Sequence, residues 1–174
     1  MKTLHMAQIA LAAASISICA WISIPSVVPF TLQSFAIFFI LLLLGGKKGT
    51  MAVALYLLLG AVGLPVFAGF KGGISALFGI TGGYIWGFLL MALLYWVTEK
   101  YSCFSVLRLG IGLMLLYAFG SAWFMLLYTQ SKGAISIMAV LSLTVFPFVI
   151  PDLLKLFLAW MVSKRVQKAL NRYL

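Results

Sequence analysis

Two ionisable residues stand inside one of the most apolar stretches of the chain, the run FPFVIPDLLKLFLAW over residues 146–160. Asp152 and Lys155 are three positions apart, which places both side chains on one face of a helix. Charges inside an apolar segment are costly and usually mark a functional site. A carboxylate accepts N–H donors from a polar ligand, and an ammonium binds a carboxylate. The alternative is a structural ion pair at a helix start, where an acid also suits the helix dipole.

The remaining residues with reactive side chains do not form a catalytic or metal-binding set. The second acidic residue, Glu99, adjoins Lys100 at a predicted helix end and is interpreted as an interfacial charge. His5 has no partner, and the two cysteines lack zinc-type spacing. HExxH and P-loop motifs are absent from the sequence. We therefore predict no enzyme, no metal and no cofactor. An intramembrane enzyme that uses Asp152 as an acid or base is the alternative, and it requires a further polar group nearby.

Two patterns of small residues each leave two interpretations open. The segment GITGGY at 79–84 precedes a predicted helix, where glycine lets the backbone approach a polar ligand or lets helices pack closely. Ala10 and Ala14 are four positions apart on one helix face. Small residues at that spacing admit a neighbouring helix, either of a partner or of the chain itself.

The composition indicates an integral membrane protein. Of the 174 residues, 65% are hydrophobic and 8% are charged, and the mean hydropathy is +1.20. A soluble domain carries about 25% charged residues, so most of this surface faces membrane lipid. The net charge of +10 does not indicate nucleic acid, because the basic residues flank apolar segments.

Residues 1–174 are predicted to form a single transmembrane domain, an all-α bundle of six transmembrane helices. Gly45 and Gly46 separate the second and third spans, and the Gly-rich segment 63–80 is predicted to be an irregular loop that is buried in protein or lines a cavity. A short helix is expected at about 135–146, and the last span is expected to begin at Pro151. The predicted spans are 4–24, 31–45, 48–62, 81–98, 106–129 and 150–168.

The basic residues predict the topology. If the N-terminus is cytoplasmic, nine basic residues lie on the cytoplasmic side and two, Lys71 and Lys132, lie outside, with Lys155 inside the last span. Such a bias satisfies the positive-inside rule. We therefore predict cytoplasmic termini, and Cys19 and Cys103 near opposite membrane faces, too far apart for a disulfide.

These motifs together resemble the BioY family, over nearly the whole chain and in matching order. The motifs that carry the resemblance are PFTLQ at 29–33, GLPVFAG at 63–69, Gly72-Gly73, TGGY at 81–84, and Pro151-Asp152 with Lys155. BioY proteins are biotin-specific S-components of energy-coupling factor (ECF) transporters. The resemblance implies a six-helix bundle in the cytoplasmic membrane that binds and takes up biotin. It also implies a transmembrane coupling protein and two ATP-binding subunits as partners.

The resemblance also implies roles for individual residues. The residues expected to contact biotin are Gln33, Phe67, Ala68, Lys71, Tyr84, Asp152 and Lys155. Ala10 and Ala14 match the pattern by which such subunits dock on their membrane partner. Two positions depart from the pattern: Ile80 replaces a usual proline, and Ile85 stands where at least one relative has an arginine. The alternative within the same architecture is an S-component for another vitamin.

Overall fold

The structure is a computed structural model that describes residues 2–101 and 104–173. Cys103, and with it the predicted separation of the two cysteines, lies outside the described residues. The elements in chain order are α1 (Lys2–Trp21), β1 (Ser23–Ile24), β2 (Phe30–Thr31), α2 (Gln33–Ala61), a 3-10 turn (Ala68–Phe70), α3 (Ile74–Leu77), α4 (Gly82–Thr98), α5 (Ser105–Lys132), α6 (Ile137–Thr144) and α7 (Phe146–Tyr173).

Helix α2 is two antiparallel helices joined at a sharp bend. Gly45 has φ 80° and ψ 170°, a conformation that glycine adopts readily and other residues rarely adopt. The segments before and after the bend lie side by side, because a Cβ on Gly49 would be 3.2 Å from Leu41 Cα. With α2 counted as two helices, six helices cross the bundle, as the sequence predicts.

The helices have the length and apolar character of membrane spans. Four apolar segments of the described chain are long enough to cross a membrane: 3–21, 33–61, 105–132 and 137–170. The bend at Gly45 divides 33–61 into two shorter antiparallel halves. The 17 residues of α4 form a shorter apolar helix packed against α2 and α5. The protein is therefore a multi-pass membrane protein.

The connections fall at two opposite ends of the bundle. At the bend end, Lys48 Nζ donates to Gln8 Oε1 at 2.9 Å, and Gln167 Nε2 donates to Leu42 O at 2.9 Å. The two described ends of the chain therefore lie at the bend end. The opposite end, which we call the loop end, carries the β1–β2 hairpin, the segment 62–81 and the link 133–145 between α5 and α7.

The hairpin at the loop end differs from the prediction. The first span was expected to reach residue 24 and the second to begin at 31, but α1 ends at Trp21 and α2 begins at Gln33. Between them, Ser23 pairs with Thr31 and Ile24 with Phe30 in an antiparallel ribbon. Pro25 and Pro29 stop both helices, because proline fixes φ and lacks an N–H donor. The extended segments then satisfy their backbone groups with each other.

The start of the last helix also differs from the prediction. The break was expected between Pro147 and Pro151, but it lies at Val145, and α7 already begins at Phe146. The amides of Phe148 and Val149 both donate to the Val145 carbonyl. Pro147 fits the first turn of a helix, where its N–H would have no partner. Pro151 lies inside the helix, one turn later. The short helix α6 falls within the range predicted for it.

Glu99 has a structural role at the bend end that the sequence did not reveal. Its two carboxylate oxygens accept from the Gly46 N–H at 3.1 and 3.0 Å. Gly46 begins the second half of α2, where backbone N–H groups lack partners within the helix. The acid therefore ties the end of α4 to the bend of α2, rather than serving only as an interfacial charge.

The close approach at Gly46 gives a first prediction. A Cβ on Gly46 would lie 2.5 Å from Trp96 Cα, so Gly46→Ala forces α2 and α4 apart. Overpacking of this kind costs about 1–3 kcal/mol, which lowers the melting temperature by about 2–12 °C. Thermal unfolding in detergent measures it. Gly110→Ala, in α5 with open space around the added methyl group, is the matched control and should not lower the melting temperature. Equal effects of the two substitutions would contradict the close contact.

Candidate ligand-binding site

A cavity of about 660 Å³ opens at the loop end of the bundle. Its walls come from α2, α4, α5 and α7, and the segment 67–81 and the hairpin turn at 27–31 close over it. The volume lies within the range of small-molecule sites. The lining is mostly apolar with a few polar groups, which suits a compact ligand with polar ends.

The polar groups converge on the carboxylate of Asp152, which is 6% exposed. Ser34 Oγ donates to Asp152 Oδ1 at 2.8 Å, and Tyr117 OH donates to Oδ2 at 2.7 Å. Lys155 Nζ lies 2.9 Å from Oδ1 as the paired cation. The ion pair itself lies within α7. Through Ser34 and Tyr117, the Asp152 carboxylate also links α7 to α2 and α5.

The Lys155 side chain is held by contacts on several sides within an apolar wall. Its ammonium donates to Asp152 Oδ1, to Thr31 O at 2.7 Å and to Ser34 Oγ at 3.2 Å, and lies 4.1 Å from the centre of the Phe30 ring. All three ammonium N–H donors therefore have protein acceptors. Lys155 holds Asp152 in place and ties the hairpin to α7.

The acceptor positions of Asp152 are not all filled. An ionised carboxylate has about four lone-pair positions for hydrogen bonds. Oδ1 accepts from Ser34 and Lys155, and Oδ2 accepts from Tyr117. No further donor from the described residues reaches Oδ2, so one of its positions is left for a donor from the cavity, such as an N–H group.

Gln33 supplies a complementary donor. Its side chain lines the cavity and is 4% exposed, and its Nε2 has no hydrogen-bond partner among the described residues. A buried amide N–H group without an acceptor costs free energy. A ligand carbonyl that accepts from Nε2 would remove that cost.

A second polar chain lies beside the first. Tyr84 OH and Ser121 Oγ are 3.2 Å apart, and Ser121 Oγ and Thr144 Oγ1 are 3.2 Å apart. Thr144 in turn donates to Val140 O at 2.8 Å. The chain runs from α4 through α5 to α6, so it fixes the Tyr84 ring against the cavity.

The segment 63–80 packs over the cavity. Phe67 N donates to Lys71 O at 2.9 Å, which closes a small loop around Ala68. The Phe67 ring is 3% exposed and meets the Tyr56 ring edge-on at 5.4 Å. Trp21 Nε1 donates to Pro65 O at 2.7 Å. The cover is thus attached to both α2 and α1.

The glycines of GITGGY mainly serve packing. A Cβ on Gly83 would lie 2.3 Å from Trp123 Cβ, and one on Gly82 would lie 2.0 Å from Leu77 O. Gly79 O accepts from Trp123 Nε1 at 3.1 Å. Of the two interpretations of this segment, close packing of α4 against α5 and α3 accounts for Gly82 and Gly83, while residues 79–81 line the cavity.

The structure brings together all seven residues expected to contact a ligand. The cavity at the loop end is lined by all seven of them: Gln33, Phe67, Ala68, Lys71, Tyr84, Asp152 and Lys155. Ala10 and Ala14 lie elsewhere, exposed on the outer face of α1. Among the described residues, no three His, Cys, Asp or Glu side chains cluster as metal ligands.

Sequence reasoning missed four polar residues that complete the site: Ser34, Tyr117, Ser121 and Thr144. Ser34 follows Gln33 at the start of an otherwise apolar span, a signal that was available in the sequence. Tyr117 stands alone in LMLLYAFG, where it is indistinguishable from a lipid-facing aromatic residue. Its role depends on the packing of α5 against α7.

Comparisons with known proteins agree with this architecture. The chain is 46% identical over 159 residues to the biotin transporter BioY of Thermotoga maritima, which covers 89% of this chain and 90% of that protein. It is 34% identical to the biotin transporter BioY2 of Lactococcus lactis, over 98% of this chain and 93% of that one. A crystal structure of the S-component for biotin from an ECF-type ABC transporter superposes with a TM-score of 0.80 at 27% identity, covering 96% of this chain and 92% of that one.

The family model agrees with these matches. The model of the BioY family matches residues 1–172. A match over nearly the whole chain, supported by relatives of similar length, leaves no part of the bundle outside the family pattern. The chain belongs to the BioY family.

Proposed function

We propose that this protein binds biotin in the cavity at the loop end and takes it up across the cell membrane as the substrate-specific S-component of an ECF-type transporter. The observation that carries the proposal is the buried Asp152 carboxylate, which keeps one acceptor position free inside a cavity of small-molecule size. It is a transport subunit, not an enzyme.

The chemistry of biotin suits the cavity. Biotin is a compact bicycle with a polar ureido end and an acid at the end of an alkyl tail. A ureido N–H group can donate to the free position on Asp152, and the ureido oxygen can accept from Gln33 Nε2. The bicycle then packs against the apolar side chains that form most of the wall, including Phe67 and Tyr84.

Orientation and partners follow from charge and from the exposed face of α1. The positive-inside rule favours a cytoplasmic bend end, so the cavity faces outward. The sequence has no nucleotide-binding motif, so uptake driven by ATP requires other subunits. We propose a transmembrane coupling protein, bound at Ala10 and Ala14, and two ATP-binding subunits.

Titration calorimetry of the detergent-purified protein tests the proposal. We expect one-to-one binding of biotin, with thiamine and riboflavin as control vitamins of different shape that do not bind. Binding of another vitamin in preference to biotin would leave the family membership standing and refute the proposed substrate.

Gln33 gives a prediction that separates binding from stability. Gln33→Leu removes a buried donor that has no partner, so the ligand-free protein should melt at an equal or higher temperature. The same change should weaken biotin binding about tenfold, because the ureido oxygen loses its donor. Melting curves and calorimetry on one preparation measure both effects.

Tyr56→Phe is the control for Gln33→Leu. Tyr56 OH is the other buried polar atom without a partner in the described chain, and Tyr56 does not line the cavity. Removal of the Tyr56 hydroxyl group should also preserve or raise the melting temperature, and the affinity for biotin should stay unchanged. If Gln33→Leu binds biotin as tightly as the unmodified protein, Gln33 is not a ligand contact.

A further inference from the structure

Two lysines besides Lys155 line the cavity. Lys71 from the covering segment and Lys132 from the last turn of α5 both line it. Both side chains are exposed, in contrast to the buried Lys155. The mouth of the cavity therefore carries two ammonium groups.

Neither lysine has a carboxylate partner among the described residues. The chain has only two acidic side chains, and both are used elsewhere. Asp152 is bound to Lys155, and Glu99 is bound to Gly46 at the bend end. The Lys132 ammonium lies 5.6 Å from the centre of the Tyr128 ring, one turn earlier in α5. Two cations without anionic partners at one cavity mouth form a site for an anion.

The position of Lys132 sets the ligand's direction. Tyr117, Phe124, Tyr128 and Lys132 all line the cavity from α5, and Tyr117 contacts Asp152. Eleven residues of helix separate Tyr117 from Tyr128, or about 16 Å. Because the Lys132 ammonium lies near the Tyr128 ring, it stands about three turns of α5 away from the Asp152 cluster. A ligand with an N–H end and an acid end fits between them.

We infer that Lys132, together with Lys71, binds the carboxylate of the transported ligand and selects for the free acid over neutral derivatives. The inference rests on the proposed function, since it assigns the tail of the same ligand. A simpler structural role exists for Lys132, because a cation at a helix C-terminus interacts favourably with the helix dipole. That role does not depend on the charge of the ligand, so the two roles can be separated.

Calorimetry with biotin and biotin carboxamide distinguishes carboxylate binding by Lys132 from its structural role at the helix end. The carboxamide has nearly the same shape without the negative charge. The unmodified protein should bind biotin about tenfold more tightly than the carboxamide, since hydrogen bonds to charged groups are stronger than neutral ones. Lys132→Gln should weaken biotin binding about tenfold and leave carboxamide binding unchanged. Lys132→Arg should keep the preference for the acid.

Lys164→Gln is the matched control. Lys164 is also exposed and also lies over the aromatic ring four residues earlier, 4.3 Å from the centre of the Trp160 ring, but it does not line the cavity. Lys164→Gln should change neither the affinity for biotin nor the affinity for biotin carboxamide. If Lys132→Gln weakens the binding of biotin and of the carboxamide equally, or weakens neither, then Lys132 does not bind the carboxylate. The proposal that the protein binds biotin is unaffected by that outcome. If the unmodified protein binds neither ligand, the proposed function fails and this inference fails with it.

Discussion

Asp152→Asn is expected to weaken biotin binding at least tenfold in calorimetry on the detergent-purified protein. The asparagine replaces an anionic acceptor with a neutral one, and charge-assisted hydrogen bonds are about twice as strong as neutral ones. The amide also places an NH2 group toward donors that now converge on the carboxylate, Ser34 Oγ, Tyr117 OH and Lys155 Nζ. The free acceptor position that faces the cavity is then lost or weakened.

The same change should also destabilise the fold. Lys155 is 7% exposed, and removal of its counterion leaves a buried, uncompensated charge. Loss of one partner of a buried pair costs about 3–5 kcal/mol. A drop in melting temperature is therefore expected, and it must be separated from the loss of binding.

The double variant Asp152→Asn with Lys155→Met separates the two effects. It removes both charges, and a neutral replacement of a buried ion pair is often close to neutral in stability. We expect it to melt at a higher temperature than Asp152→Asn and still to lack tight biotin binding. Glu99→Gln, at the opposite end of the bundle, is the control acid and should bind biotin normally. Unchanged biotin affinity in folded Asp152→Asn would remove Asp152 from the binding site.

The parts of the fold that the sequence predicted are those with local causes. The break at Gly45 follows from two adjacent glycines before two lysines, and the shared helix face of Asp152 and Lys155 follows from helical spacing. Both depend only on neighbouring residues. The ion pair between Asp152 and Lys155 was the alternative interpretation of that spacing. The position of the last helix did not follow, because Pro147 and Pro151 are compatible with a break and with an early helical turn. The structure has the early turn.

The parts of the site that the sequence did not predict arise from tertiary packing. Tyr117 and Thr144 reach polar partners only because α5 packs against α7 and α6 packs against α5. Nothing in their spacing distinguishes them from residues that face lipid. Gln33, Phe67, Lys71 and Tyr84 were predicted by resemblance to the BioY family, and their place in one cavity connects three separate segments. Their contacts with biotin stay predictions.

Ala14→Trp is expected to block assembly with the membrane partner and to spare biotin binding. Ala10 and Ala14 are exposed on α1, beside the buried stripe that includes Ala13 and Ile16. Small residues four apart let another helix approach closely, and an indole there prevents that approach. Co-purification of the coupling protein and ATP-binding subunits with the tagged variant measures assembly, and calorimetry measures biotin affinity.

Helix α5 offers a matched control for this test. Ala118 and Ala122 are also four apart and also exposed, but on a helix that packs against α4 and α6 instead of α2. Ala118→Trp makes the same change of side chain on another lipid-facing surface. It should leave both assembly and biotin binding intact. An intact complex with Ala14→Trp would exclude α1 as the docking face, and loss of the complex with Ala118→Trp alone would move that face to α5.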